Sequence, residues 1–273
     1  MLLAATALSA AGCGGTGTLT GGGGSAAVGR GGTGGGGNAA GGTGGFGIGG
    51  SAGMPSQPEC GTVNSVSAKP IPPDVLILLD ASAGMNDDLG GVSCSGGCGT
   101  SSRWAAAVAA LERIVSDTDT TVNWGLQIFP DAIDGCAVPS LPTVSVGPGH
   151  AAAIAAAIAA RTGPDGGLMA AGNAPIRAAE SAAAAYLLTL VDPGPKLILL
   201  ATAGAPSCPP GGADPGADDA TGAVAAITSA AESGFATTVL GVASAGGAAD
   251  MTLNAMAIAG ARPRTGPPSY TPV

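Results

Sequence analysis

Asp80 and Ser82 stand in a short polar loop, Asp80-Ala81-Ser82-Ala83-Gly84-Met85, directly after the apolar run Val75–Leu79. A carboxylate and a hydroxyl at that spacing can cap the following turn and satisfy its N–H groups. With a second polar group opposite, Asp80 could instead serve a hydrolase as its acid or base. The rest of the chain gives such an enzyme little help. His150, in Gly-Pro-Gly-His at a helix start, is the single histidine among 273 residues, so a nucleophilic triad would rest on it alone. A surface or capping role is its default. Ser82 and Ser207 have no base close in sequence, and no G-x-S-x-G elbow follows a strand. Glu112, Glu180 and Glu232 fall within helical patterns, where solvated faces are expected. These residues favour binding over catalysis.

The elements that must hold the Asp80 loop are read from hydrophobic spacing. Val75–Leu79 is a continuous apolar run bounded by Pro72-Pro73 and Asp80, as expected of a strand buried on both faces. Ser102–Val115 places Trp104, Val108, Leu111 and Val115 at helical spacing behind a Ser-rich start. Val122–Phe129 alternates as a strand, and Thr143–Val146 reads as a short edge strand. Ala151–Ala160 and Pro175–Leu190 read as Ala-rich helices, the second with Pro in its first turn. Strand Leu197–Leu200, helix Asp218–Glu232, strand Phe235–Val242 and helix Ala248–Ala259 continue the alternation. Ser269–Thr271, hemmed by prolines, closes the sheet as an edge. This order predicts an α/β fold over residues 60–273, a doubly wound, mostly parallel sheet flanked by helices. Ligands of such sheets bind in loops leaving the carboxyl ends of the strands, where Asp80 falls.

The segment DVLILLDASAGM resembles the first strand and loop of a von Willebrand factor type A domain, a buried strand ending in D-x-S-x-S and often followed by Met. Later landmarks stand in order: WGLQIFP as second strand, Gly172-Asn173-Ala174-Pro175 before a helix, and LILLATAG at 197–204 as fourth strand and exit loop. The likeness covers residues 60–273. It implies a metal-ion-dependent adhesion site with five ligand positions, whose ion joins the domain to a partner carboxylate. Asp80 and Ser82 match the first two positions, whereas Gly84, Ala174 and Ala203 stand where Ser, Thr and Asp are usual. Mg²⁺ asks for near-octahedral oxygen coordination and Ca²⁺ for six to eight oxygens. Three positions without a side-chain oxygen therefore predict a vestigial site and no cofactor. In the alternative, Asp87, Asp88 or Thr202 supplies substitute oxygens to Mg²⁺ or Ca²⁺.

Charge narrows the partners. Eighteen acids against nine Lys and Arg give a net charge of −9, with no basic cluster, which excludes a nucleic-acid binder. Asp80, Asp87, Asp88, Asp131, Asp134, Asp165, Asp214, Asp218 and Asp219 fall in loops placed at one end of the sheet, with Arg103 as nearest counter-charge. Such a face would attract cationic partners and repel carboxylates; the alternative is solvated loops that keep the domain soluble. Cys94, Cys98, Cys136 and Cys208 lie in the same loops, which favours the pairs Cys94–Cys98 and Cys136–Cys208 with Cys60 left over. A zinc site lacks a second close pair or spaced histidines, and no C-x-x-C redox spacing occurs.

The first 59 residues read as anchor and tether. MLLAATALSAAGC carries an apolar stretch of signal-peptide length, and Ala10-Ala11-Gly12-Cys13 resembles a bacterial lipobox, although no Lys or Arg precedes it. The resemblance implies lipidation of Cys13, and Gly14 after it is compatible with outer-membrane sorting. Residues 14–59 are roughly half glycine, a flexible linker with a reach of about 35–40 Å. The Gly12-x-Gly14-x-x-Gly17 string at its start lacks the strand and helix of a dinucleotide site and is a product of composition. The expectation is an exported, lipid-anchored envelope protein that touches the membrane through its anchor alone. Its binding domain would meet a protein or surface ligand. A purely structural envelope lipoprotein is the remaining alternative.

Overall fold

All seven residues of β1 (Asp74–Asp80) are buried, because the strand sits between two others and beneath helices on both faces. The structure, a computed structural model, describes residues 70–131, 135–169, 171–211, 214–242 and 248–273. The Cys13 anchor, the 14–59 linker, Cys60 and Asp134 lie outside the described residues. After β1 come α1 (Arg103–Thr118), β2 (Asn123–Phe129), β3 (Val144–Gly147), α2 (Ala151–Ala159) and α3 (Ile176–Thr189). The chain continues through β4 (Lys196–Thr202), α4 (Ala220–Glu232), β5 (Ala236–Gly241), α5 (Ala248–Ala259) and β6 (Thr271–Pro272). The sheet order is β3-β2-β1-β4-β5-β6. Every pair is parallel except β2 with β3, which is antiparallel at the edge. The doubly wound α/β class and the order of elements are as expected, with ends shifted by no more than three residues.

The strand period of two divides β1 between two cores. Val75, Ile77 and Leu79 pack with Trp104, Leu111 and Val115 of α1 and with Ile154 and Ile158 of α2. Leu76 and Leu78 face the opposite way, onto Ile176, Ala183 and Leu187 of α3, Ile227 of α4, and Leu253 and Met256 of α5. Helix α1 starts where the Ser102 hydroxyl accepts from the Ala105 N–H at 3.2 Å.

Glu180 departs from expectation. It is fully buried, not solvated, and the Thr237 hydroxyl of β5 donates to its Oε1. Its position explains this, since Glu180 lies four residues after Ile176 and three before Ala183, on the stripe α3 turns to the sheet. Burial pushes its carboxyl from the ordinary 4.5 to about 7, against the hydrogen bond from Thr237.

Candidate functional site

Strand order reverses between β1 and β4, since the chain runs from β1 out to β2 and β3 before returning to β4 on the other side. The carboxyl ends of these two strands frame the crevice where doubly wound sheets place ligands. Asp80 ends β1 and is 1% exposed. Its Oδ1 accepts the Ser82 N–H at 2.8 Å, and its Oδ2 accepts the Thr202 hydroxyl at 2.6 Å. Thr202 in turn accepts the Gly204 N–H at 3.1 Å. Burial raises the pKa of Asp80, and the bonds from Thr202 and Ser82 oppose that rise. The carboxylate thus acts as a tie between two strand ends.

Above it lies a cleft of about 290 Å³, lined by Ser82, Gly84, Ala174 and Ala203 together with Asp87, Arg103, Asn173 and Ser207. Local backbone bonds hold these loops in register. Ala83 N–H donates to the Gly172 carbonyl at 2.9 Å, and Gly172 N–H to that of Ala81 at 3.2 Å. Ser207 grips the third loop, its N–H donating to the Ala174 carbonyl at 2.8 Å and its Oγ accepting the Ala174 N–H at 2.8 Å. A Cβ on Gly84 would come 3.6 Å from that of Ala203. The sites singled out in sequence therefore meet, four of them lining the cleft and Asp80 beneath it.

No protein-family model matches the chain, and no curated protein matches it. Among solved structures it is similar to the manganese-loaded Plasmodium vivax TRAP protein, with a TM-score of 0.50 and 15% identity over 74% of this chain and 68% of that one. It is also similar to the pilus adhesin SpaC from Lactobacillus rhamnosus GG in its open conformation, with a TM-score of 0.50 and 14% identity. That match covers 75% of this chain and 28% of the adhesin, so this chain spans under a third of its length. The described domain has the von Willebrand factor type A fold. Of the five positions that the sequence resemblance assigns to ligands, Asp80 and Ser82 alone carry a side-chain oxygen. Both Asp80 oxygens already serve the protein's own donors. Of the substitutes, Thr202 spends its proton on Asp80, and Asp88 turns into its own loop, accepting the Val92 N–H at 2.8 Å. Asp87 does line the cleft, but its Oδ1 accepts the Ser93 hydroxyl at 2.7 Å.

The acidic end of the domain is more compensated than its composition suggests. Asp80 and Asp219 are buried, and Asp219 pairs with Arg177 of α3. Asp165 and Asp214 accept N–H groups of their own turns, from Gly167 at 3.2 Å and Gly216 at 2.9 Å. Asp131, Asp165, Asp214 and Asp218 remain exposed, while Asp87 and Asp88 are half-buried. Arg103 is more than a nearby counter-charge. It is 9% exposed, its Nη1 donates to the Gly84 carbonyl at 3.2 Å, and Asp87 Oδ2 stands 3.9 Å away. The first helical position after Ser102 fixes its place; its neighbours come from a loop that sequence patterns do not fold.

His150 lies at the far end of the sheet from Asp80. It precedes α2, its Nδ1 donating to the Ser145 carbonyl at 2.8 Å beside Trp124, which pairs with Val75 at the start of β1. Five residues of strand, about 17 Å, separate Val75 from Asp80. An Asp80–His150 acid–base pair is therefore ruled out by position. Disulfides join Cys94 to Cys98 and Cys136 to Cys208, with Cα–Cα distances of 5.1 and 5.7 Å. The second ties the loop after β2 to the loop after β4. These are the pairs that loop placement favours, and no cysteine among the described residues is free.

Proposed function

We propose that this chain is a non-enzymatic binding module of the cell surface whose cleft engages a protein or surface ligand without a resident divalent cation. The observation that carries this reading is the state of Asp80, buried with both oxygens engaged while three neighbouring ligand positions offer none. A hard cation placed there would draw most of its shell from water. The Arg103 guanidinium lining the same cleft adds repulsion. The separation of His150 from Asp80 and the shallow Ala- and Gly-rich lining both speak against hydrolysis.

An extracellular role is supported by the two disulfides, which persist in oxidising compartments. It is also supported by the shared fold with a pilus adhesin. Lipidation at Cys13 with residues 14–59 as linker would hold the domain off the outer membrane and let it sample ligands over tens of ångströms. Calorimetric titration of the full chain with Mg²⁺, Mn²⁺ and Ca²⁺ tests the site. No heat beyond dilution is expected, and micromolar binding of any of the three would restore the metal-dependent alternative through Asp87.

A further inference from the structure

Arg103 carries five N–H donors, and one of them makes a hydrogen bond, to the Gly84 carbonyl at 3.2 Å. Its Nε is buried with no partner. Asp87 at 3.9 Å balances charge from beyond hydrogen-bond reach, held back by the Ser93 hydroxyl on its other oxygen. Gly91, at φ +82°, closes the loop over the guanidinium; a Cβ there would come within 2.9 Å of Nη2. The group is thus boxed against the cleft it lines, about nine-tenths buried, with its Nε left unpartnered. A buried donor left open is costly, and the planar guanidinium can meet a carboxylate in two parallel bonds.

We infer that the cleft takes an acidic side chain of a partner peptide on Arg103, the guanidinium doing what a bridging cation would otherwise do. This rests on the reading of the cleft as free of a resident ion. The incoming carboxylate replaces Asp87 as the counter-charge, so the Arg103–Asp87 pair is the closed form of the site. Asp80 does not contest the anion, since its oxygens face Ser82 and Thr202 below the floor. The rim sets a second requirement. Asp214 and Asp218 are exposed on either side of Gly216, a lining residue, so the preferred carboxylate is flanked by basic residues.

The test is a titration of the ¹⁵N-labelled full chain, in EDTA, with the capped tripeptide Lys-Asp-Lys, following the Arg103 Nε–Hε and Gly84 amide signals. Both should shift saturably at millimolar peptide, and Lys-Asn-Lys should leave them in place. Arg103→Lys should weaken binding roughly tenfold as a fork becomes a point charge. Asp87→Asn should tighten it roughly two- to fivefold by removing the internal competitor, an effect that a merely structural Arg103 would not produce. Equal shifts with the Asn peptide, or no shift either in EDTA or in EDTA-free buffer with excess Mg²⁺, overturn the inference and leave the ion-free reading standing. Binding that appears with Mg²⁺ alone overturns both.

Discussion

The hydroxyl of Thr202 donates to Oδ2 of Asp80 at 2.6 Å, across a sequence separation of 122 residues and at full burial. This bond locks the carboxyl ends of β4 and β1 to each other at the switch in strand order, and the cleft is built on top of it. Its removal should be felt in the fold before it is felt in any ligand.

Thr202→Val keeps the shape and deletes the donor. It leaves Asp80 with an unpaired buried oxygen, a loss of about 1–3 kcal/mol. Urea denaturation at neutral pH measures it, and Thr202→Val in an Asp80→Asn background should cost less, because the carboxylate it serves is gone.

Rebuilding the ligand set is the complementary experiment. Gly84→Ser, Ala174→Thr and Ala203→Asp together place oxygens on loops that already converge, and the space beyond Gly84 holds nothing nearer than the Ala203 Cβ at 3.6 Å. Calorimetry of the triple variant should show Mn²⁺ binding, against none for the parent chain on the ion-free reading proposed above. Persistent absence of heat would mean that Arg103 or the loop backbone still excludes the ion.

Glu180 gives the protein a pH dependence of defined sign. Its folded pKa of about 7 lies above the ordinary 4.5 because of burial. Protons are therefore taken up on folding between those values. Stability from this group is fully present below about pH 4.5 and lost as pH rises through 7, a span of about 3 kcal/mol at most. Stability curves from pH 4.5 to 8 should fall for the parent and be flatter for Glu180→Gln. Superimposable slopes would refute this account.

The two disulfides should differ in worth. Cys136–Cys208 closes a separation of 72 residues and Cys94–Cys98 one of 4. Loop-closure entropy assigns them about 4 and about 2 kcal/mol respectively. Denaturation of the paired Cys→Ser variants should preserve that ranking.

Gly222→Ala should behave against type. In an exposed helix interior the change gains about 1 kcal/mol, but a Cβ at this point of α4 runs into the Arg177 guanidinium. Displacing Arg177 strands Asp219, which is 4% exposed and has an oxygen without a partner. A net loss of about 1–2 kcal/mol is expected once that buried carboxylate is left unpaired, read as a lowered denaturation midpoint.

Period and punctuation made the scaffold legible. Val75–Leu79 is apolar throughout because both its faces are covered, and the Ala-rich helices stop at Gly and Pro. The cleft was legible through the order of its loops, since Asp80, Ser82, Gly84, Ala174 and Ala203 each end or follow a strand or precede a helix. What stayed hidden depended on partners distant in the chain. Glu180 reads as solvated because charge masks its place on a buried stripe, and nothing local announces Thr237. Arg103 owes its state to Gly84 and Gly91, and Asp219 owes its own to Arg177 of a different helix. Residue types alone assign all three to the surface.

The two margins of the sheet bear on what happens when many copies are crowded together. One margin is β3, four residues long and irregular in register against β2. The other is β6, a two-residue strand in which Pro272 has no N–H to offer. Neither presents a ladder long enough to recruit a neighbour's strand. Crowded copies of this domain can therefore stay a population of separate heads instead of zipping sideways into fibres.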